Sequence, residues 1–164
     1  MKSIILFRHA KSDWSDIQSE DHERQLNKRG VKAAKKMGIY LRYINQIPDI
    51  VISSTAIRTK KTLEIAMRQG NWKSKVKIER DIYNSSVKKL FSIIHKIEDI
   101  YTNACLVGHE PTISSFIYET TKYSINKFPT ASMAKIEFKI KKWKYINTNS
   151  GMLTWFKKPK EINI

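Results

Sequence analysis

The chain opens on a short apolar run, Ile4-Ile5-Leu6-Phe7, which Arg8 ends. A run of that length followed by polar residues predicts a buried strand over 2–8. Residues 11–26 are polar and without period, and read as a loop at a functional site. Asn27 is a helix cap, and Val31, Ala34, Gly38 and Leu41 fall at helical spacing, so a helix is expected to about Tyr43. Pro48 breaks it, and Asp49-Ile50-Val51-Ile52 predicts a second strand. Ser53 or Ser54 is placed to cap a helix over 55–69, which Gly70-Asn71 ends. A third strand is expected over 76–79. Val87, Leu90, Phe91, Ile94 and Ile97 outline an amphipathic helix, and Ala104 to Val107 a fourth strand. Gly108-His109-Glu110 then turns into a helix with Pro111 at its first position. From Ala131 on the pattern alternates as strands: Ala134, Ile136, Phe138, then Trp143, Tyr145, and finally Leu153, Trp155.

Strands alternating with helices predict an α/β fold, a three-layer α/β/α sandwich with a mostly parallel central sheet, the late strands pairing antiparallel at an edge. In such sheets sites form beyond the carboxyl ends of the strands. Arg8-His9, Ser53-Ser54 and Gly108-His109 each follow a strand directly, so these three ends carry the candidate chemistry.

Composition narrows the picture. A chain of 164 residues, 41% apolar and 28% charged, is expected to form one domain over 1–164 with a real core. No run approaches the about 18 apolar residues of a membrane span or a signal-peptide core, so a cytoplasmic protein is expected. The one cysteine, Cys105, sits in an apolar run and reads as a buried thiol. The net charge of +16 attracts anions of any class. The excess is lysine spread along the chain, with short clusters at Lys139, Lys141, Lys142, Lys144 and at Lys157, Lys158, Lys160. The aromatics look like core and are not interleaved with these clusters, which argues against a nucleic-acid module. The pattern leaves open whether the charge binds a partner or only solvates the surface.

Two of the four histidines, His9 and His109, stand at strand ends beside groups suited to phosphate. Arg8 precedes His9, a helix start follows His109, and Arg58 lies in the first turn of another helix. Arginine grips a phosphoryl group with a planar fork of donors, and helix N-termini add free N–H groups. If the three ends converge, they form a dianion pocket in which a neutral imidazole attacks phosphorus, with the cations stabilising the equatorial oxygens. A zinc site competes for the two histidines, but the arginines would repel a metal and no third ligand has suitable spacing. No metal and no cofactor is expected.

Four segments, in order, resemble a known family. Arg8-His9-Ala10-Lys11-Ser12-Asp13-Trp14-Ser15 is similar to the Arg-His-Gly signature of the histidine-phosphatase (phosphoglycerate-mutase-like) superfamily, closest to the SixA-type phosphohistidine phosphatases. The stretch from Asp21 to Gly30 resembles the one before their first helix. Ser53 to Thr62 resembles their second phosphate-binding element, and Val107-Gly108-His109-Glu110-Pro111 their second catalytic histidine. Phe128 to Ala131 and the segment Trp155 to Pro159 also fit. The resemblance implies His9 as the phosphorylated nucleophile, Arg8 and Arg58 as clamps, His109 as the pocket's second imidazole, and Ser15 as a phosphate contact. Ala10 departs from the usual glycine, as the SixA-type branch tolerates, and Glu110 is expected to point outward.

Mutase-like relatives place a glutamate between the Arg58 element and His109. The corresponding segment, Glu79 to Asn84, resembles the Leu-Tyr pattern of the SixA type and offers Glu79 and Asp81 as candidate general acids. The resemblance implies a phosphatase for a phosphohistidine-bearing protein. A phosphomonoesterase for a small metabolite is the alternative, and a non-catalytic basic binding module a further one. Oligomeric state is not legible.

Overall fold

The computed structural model describes residues 1–164. One six-stranded sheet runs through it: β1 (Lys2–Arg8), β2 (Ile50–Ser53), β3 (Lys75–Ile78), β4 (Asn103–Gly108), β5 (Met133–Phe138) and β6 (Gly151–Lys157), in the order β3-β2-β4-β1-β5-β6. The first four strands in that order are parallel. β5 pairs antiparallel with β1, and β6 antiparallel with β5. Helices α1 (Lys28–Tyr43), α2 (Ile57–Gly70), α3 (Val87–His95) and α4 (Thr112–Thr121) cover the faces. This is the expected α/β fold, mostly parallel with an antiparallel edge.

The period-2 alternation of β1 explains the layering. Ile4 and Leu6 enter a core with Ile94, Phe116 and Ile117 of α3 and α4. Ile5 and Phe7 enter a second core with Ala34, Met37 and Leu63 of α1 and α2. The sheet thus divides two apolar clusters, and a strand buried on both sides has to be an uninterrupted apolar run. At the open edge, β3 is exposed throughout and carries Lys75 and Lys77, charges that oppose pairing with a foreign strand.

Register determines where the polar ends meet. Arg8 pairs with Gly108 across β1 and β4, and Ser53 with Val107 across β2 and β4. The next residues, His9, His109 and Ser54, therefore leave three adjacent parallel strands at one level.

Three local expectations are corrected. Ala56 occupies the N-cap of α2, and the Ser54 hydroxyl accepts the Ala56 N–H instead of capping the helix. Pro111 is the N-cap of α4 rather than its first residue. Trp143 to Tyr145 is a 3-10 turn, not a strand. Trp143 is wholly buried, and its indole N–H donates to the Tyr101 carbonyl while its backbone N–H donates to the Asp99 carboxylate. An anchoring side chain mimicked strand alternation. The last alternation is also broken, because a bulge at Lys135/Ile136 turns Leu153 toward the α3/α4 core and Trp155 toward the α1/α2 core.

α1 and α2 approach closely because Gly38 has no side chain. A Cβ there would collide with the Ala66 backbone, and the Gly38 carbonyl accepts the Trp72 indole N–H at 3.0 Å. Gly38→Ala gains about 1 kcal/mol of helix propensity, but overpacking costs about 1–3 kcal/mol, and a clash with backbone lies at the upper end. A lowered urea midpoint is expected; an unchanged or raised one contradicts the close approach.

Candidate active site

His9 follows β1 in a segment pinned on all sides. Its backbone N–H donates to Gly108 O, its carbonyl accepts from Ala131 N, and the Ala10 N–H donates to the Thr62 hydroxyl of α2. Lys11 O accepts from Asn27 N at the start of α1. These bonds aim the Ala10 carbonyl at the His9 ring, whose Nδ1 lies 2.8 Å away. A carbonyl only accepts, so Nδ1 carries the proton and Nε2 keeps its lone pair. The ring is 7% exposed. Burial, with Arg58 and Arg8 nearby, pushes its pKa down to about 4, against the opposing pull of the Ala10 carbonyl and Asp21. His9 is neutral at pH 7.

His109 lies beside it, with ring centroids 5.3 Å apart. Its Nδ1 is 3.4 Å from Nη2 of Arg58, and its Nε2 is 2.9 Å from the Ser54 hydroxyl. A guanidinium only donates, so Nδ1 accepts and Nε2 carries the proton toward Ser54. Burial, then His9 and Arg58, push the His109 pKa down to about 3. The two neighbouring rings therefore hold opposite tautomers.

Arg58 is 7% exposed, in the first turn of α2. Its Nη1 donates to the Asp21 carbonyl at 2.6 Å and its Nη2 to the Asp21 carboxylate at 3.1 Å. Tyr83 donates its hydroxyl to the same carboxylate at 2.7 Å. That bond first, and Arg58 second, hold Asp21 below the usual carboxylate range, and the same bond raises the Tyr83 phenol. Arg8 donates from Nη1 to the Phe128 carbonyl at 2.7 Å, the one protein acceptor of its guanidinium. Its Nε is buried without a partner.

These side chains line one cavity of about 990 Å3. Arg8, Lys11, Arg29, Arg58 and Lys127 contribute positive charge to its wall, against Asp21 and Glu110. Such a wall suits an anion with several oxygens. No group of three or more His, Cys, Asp or Glu converges as a metal set. Cys105 is buried in β4, its thiol pushed up by burial, away from this wall.

The structure brings Arg8, His9, Arg58 and His109 together. It does not bring in Ser15, which is exposed, its N–H bonded to the Asp13 carboxylate in a tight turn. Ser12 lines the wall instead, buried and bridged to Leu26. Glu79 and Asp81 also lie off the wall, because the Glu79 carboxylate accepts the Asp81 N–H in a 3-10 turn at the surface. Glu110 lines the cavity wall instead of pointing outward as expected. Its carboxylate folds back onto α4 and accepts from the Ser114 N–H at 2.8 Å and the Ser114 hydroxyl at 2.6 Å. One N–H of that helix start is thereby taken, which corrects the expectation that it faces the ligand. Asp21 and Tyr83 were missed as site residues, and Ser54, already placed at a strand end, gains its contact with His109 only in the structure. The available signal was that a buried arginine needs an acceptor.

Comparison with known proteins follows the same lines. The family model for the histidine phosphatase superfamily (branch 1) matches residues 4–87. A protein of Mycobacterium leprae (strain TN), carrying the name uncharacterized protein ML1117, is 30% identical over 167 residues, covering 93% of this chain and 99% of that one. Among solved structures, SixA from Nakamurella multipartitia superposes with a TM-score of 0.84 at 22% identity, covering 96% of each chain. A protein histidine phosphatase SixA complexed with tungstate superposes equally well, at 0.84 and 17% identity, covering 97% of this chain and 98% of that one. At such identities the structures establish the fold.

Two imidazoles held neutral by burial make stability depend on pH. The unfolded chain takes up protons below about 6.5, while the folded rings resist until about 4 and about 3. Stability from this source is complete above pH 6.5 and falls as pH drops toward 4. For His9 alone the loss is on the order of 3 kcal/mol at pH 4. Urea midpoints measured from pH 7.5 to 4 are expected to fall less steeply in His9→Gln than in wild type; equal slopes contradict the buried neutral ring.

Proposed function

The chain belongs to the histidine phosphatase superfamily (branch 1), and we propose that within it the protein is a phosphohistidine phosphatase acting on other proteins through a phospho-His9 intermediate. The observation that carries this reading is the His9 ring itself: neutral, and with Nδ1–H tied to the Ala10 carbonyl so that Nε2 is the free nucleophile.

The phosphoryl group enters between Arg8 and Arg58, whose donors match its equatorial oxygens. Nε2 of His9 bonds to phosphorus as the bond to the leaving nitrogen breaks; that nitrogen keeps the electron pair, and the ring leaves as neutral imidazole because its other nitrogen entered already protonated from solvent. The His9 ring, now cationic, still donates from Nδ1 to Ala10. His109 stays neutral beside the transferred group, its Nε2–H on the Ser54 hydroxyl, and completes the pocket wall. Water next attacks phosphorus, the P–Nε2 bond breaks, and inorganic phosphate leaves with His9 neutral again.

The substrate class is supported by what surrounds the cavity. Glu79 and Asp81 lie off its wall, Asp21 is held ionised by Tyr83 and Arg58, and both Glu110 carboxylate oxygens accept from Ser114, so no protonated carboxyl is in place to assist a leaving group. An alcohol, with a pKa near that of water at about 15.7, needs such help; an imidazole of pKa about 6.5 does not. Between β3 and β4 the chain spends only a turn and α3, so no subdomain covers the mouth and a histidine displayed on another protein can enter. A single catalytic domain over residues 1–164 and a cytoplasmic setting belong to the same proposal. One continuous sheet and one buried, unpaired thiol support them.

Brief exposure to phosphoramidate, followed by denaturation, is expected to leave acid-labile, alkali-stable phosphate on wild type and none on His9→Ala. Label retained in His9→Ala would misplace the nucleophile. Arg58→Ala is expected to lower kcat by about 10²–10³, and a chelator to leave turnover unchanged. If sugar or nucleotide phosphates are cleaved much faster than phosphohistidine peptides, the protein is a phosphomonoesterase for metabolites instead.

A further inference from the structure

The cavity does not end at the imidazoles. It opens into a cleft of about 370 Å3 that shares Lys11, Arg29 and Lys127 with it and adds Lys158 and Lys160, with no Asp or Glu in the lining. Through Arg29 and Lys160 that cleft continues into another of about 550 Å3 against α1, which adds Lys32, Lys35 and Lys36 and again no acid. The three form one basic trough leading away from His9.

Two observations separate this trough from a merely lysine-rich surface. The ion pairs of Lys and Arg in the molecule are Arg58 with Asp21, Lys61 and Arg68 with Glu64, and Lys135 with Glu137. None involves a residue lining the two clefts beyond the catalytic cavity. Moreover α1 carries six Lys or Arg residues and no Asp or Glu, two of the six in its first turn. The helix dipole disfavours cations there, and like charges three or four residues apart, such as Lys32 and Lys36, repel. The nearest acid in sequence, Glu161, is exposed and acts on Tyr40 rather than lining the clefts. Lys36 donates to the Pro159 carbonyl at 3.3 Å and Lys158 lies 5.7 Å from the Phe156 ring centroid, but no carboxylate of the protein neutralises any of these cations, so an external anion is their natural counterpart.

The lining also indicates the class of anion. The apolar residues of the two clefts are Ala33, Ile39, Pro129, Pro159 and Ile164, with no aromatic side chain. Single-stranded nucleic acid binds by stacking on aromatics, and these two clefts provide none; of the aromatics on the catalytic wall, Trp14 is covered by Arg24 and Tyr83 is tied to Asp21. We propose that it docks an acidic face of the substrate protein, so that carboxylates flanking the phosphorylated residue are held by Lys158, Lys160 and α1 while that residue reaches His9. The inference rests on the reading of the substrate as a phosphoprotein.

The test uses the full chain and two variants with the same change of charge. Lys32→Glu/Lys158→Glu/Lys160→Glu alters the trough beyond the catalytic wall; Lys75→Glu/Lys77→Glu/Lys89→Glu alters β3 and α3, which line none of the three cavities. The probes are a Glu-rich peptide, its Gln isostere and an oligouridylate of equal length, followed by fluorescence anisotropy at low salt. The two peptides are also made with one phosphohistidine and assayed for turnover, beside p-nitrophenyl phosphate. Wild type is expected to prefer the acidic peptide by about tenfold or more in binding and in kcat/KM. The trough variant is expected to lose that preference, the other variant to keep it, and both to cleave p-nitrophenyl phosphate like wild type.

Equal losses in both variants would reduce the effect to net charge and overturn the proposal. Tighter binding of oligouridylate through the trough would also overturn it, in favour of nucleic acid. Turnover of both phosphohistidine peptides without preference leaves the phosphatase reading standing and removes the docking surface. Trough-dependent binding of the acidic peptide with no phosphohistidine turnover does the reverse.

Discussion

A hydrogen bond of 2.8 Å between the His9 ring and the carbonyl of the next residue determines which imidazole nitrogen faces the cavity. Everything around it keeps that bond in place. The chain from His9 to Lys11 is held by β4, by the Thr62 hydroxyl, by Ala131 and by the start of α1. Gly30 lets α1 come so near that a Cβ would collide with the Lys11 carbonyl. Rigid backbone thus does the work of the third member of a catalytic triad: it fixes the tautomer of a histidine without using a carboxylate.

The second constraint is like charge. Arg8 and Arg58 face one cavity with two imidazoles, and each disfavours protonation of both rings. Asp21 keeps this tolerable, because it neutralises Arg58 and is itself anchored by Tyr83. The guanidinium is thereby preorganised at the helix start instead of searching rotamers, which is how fixed dipoles and charges assist a reaction without reorganising during it. The same balance leaves the site short of negative charge: the Arg8 guanidinium has one protein acceptor, and a buried Nε without any. A dianion supplies what the protein withholds.

Much of this was legible in the chain because it is local. Buried strands announce themselves as apolar runs, and their ends placed His9, Ser54 and His109 before any coordinate. Asn27 capped α1 as its residue type suggested, accepting from the Gly30 N–H. What sequence reasoning missed is non-local or depends on one side chain. Asp21 and Tyr83 meet 62 positions apart, a contact that no local pattern encodes. Ser15 and Ser12 are equivalent on paper, and only the turn closed by Asp13 sends one outward. Trp143 alternates like a strand residue but is pinned to Tyr101 and Asp99. Glu110 was expected to point outward, and no local pattern encodes the Ser114 N–H and hydroxyl that fold its carboxylate onto α4. The +16 charge could not be apportioned from composition; only the grouping of unpaired lysines along one trough gives part of it a place.

The account stands on the protonation state of one ring, and side-chain ¹H–¹⁵N NMR of the histidines in the unliganded protein reads it directly. The structure predicts that His9 shows the Nδ1–H tautomer, with an unprotonated Nε2, at neutral pH and remains neutral until the pH approaches about 4. A His9 ring that carries its proton on Nε2, or that titrates near the ordinary value of about 6.5, would contradict it.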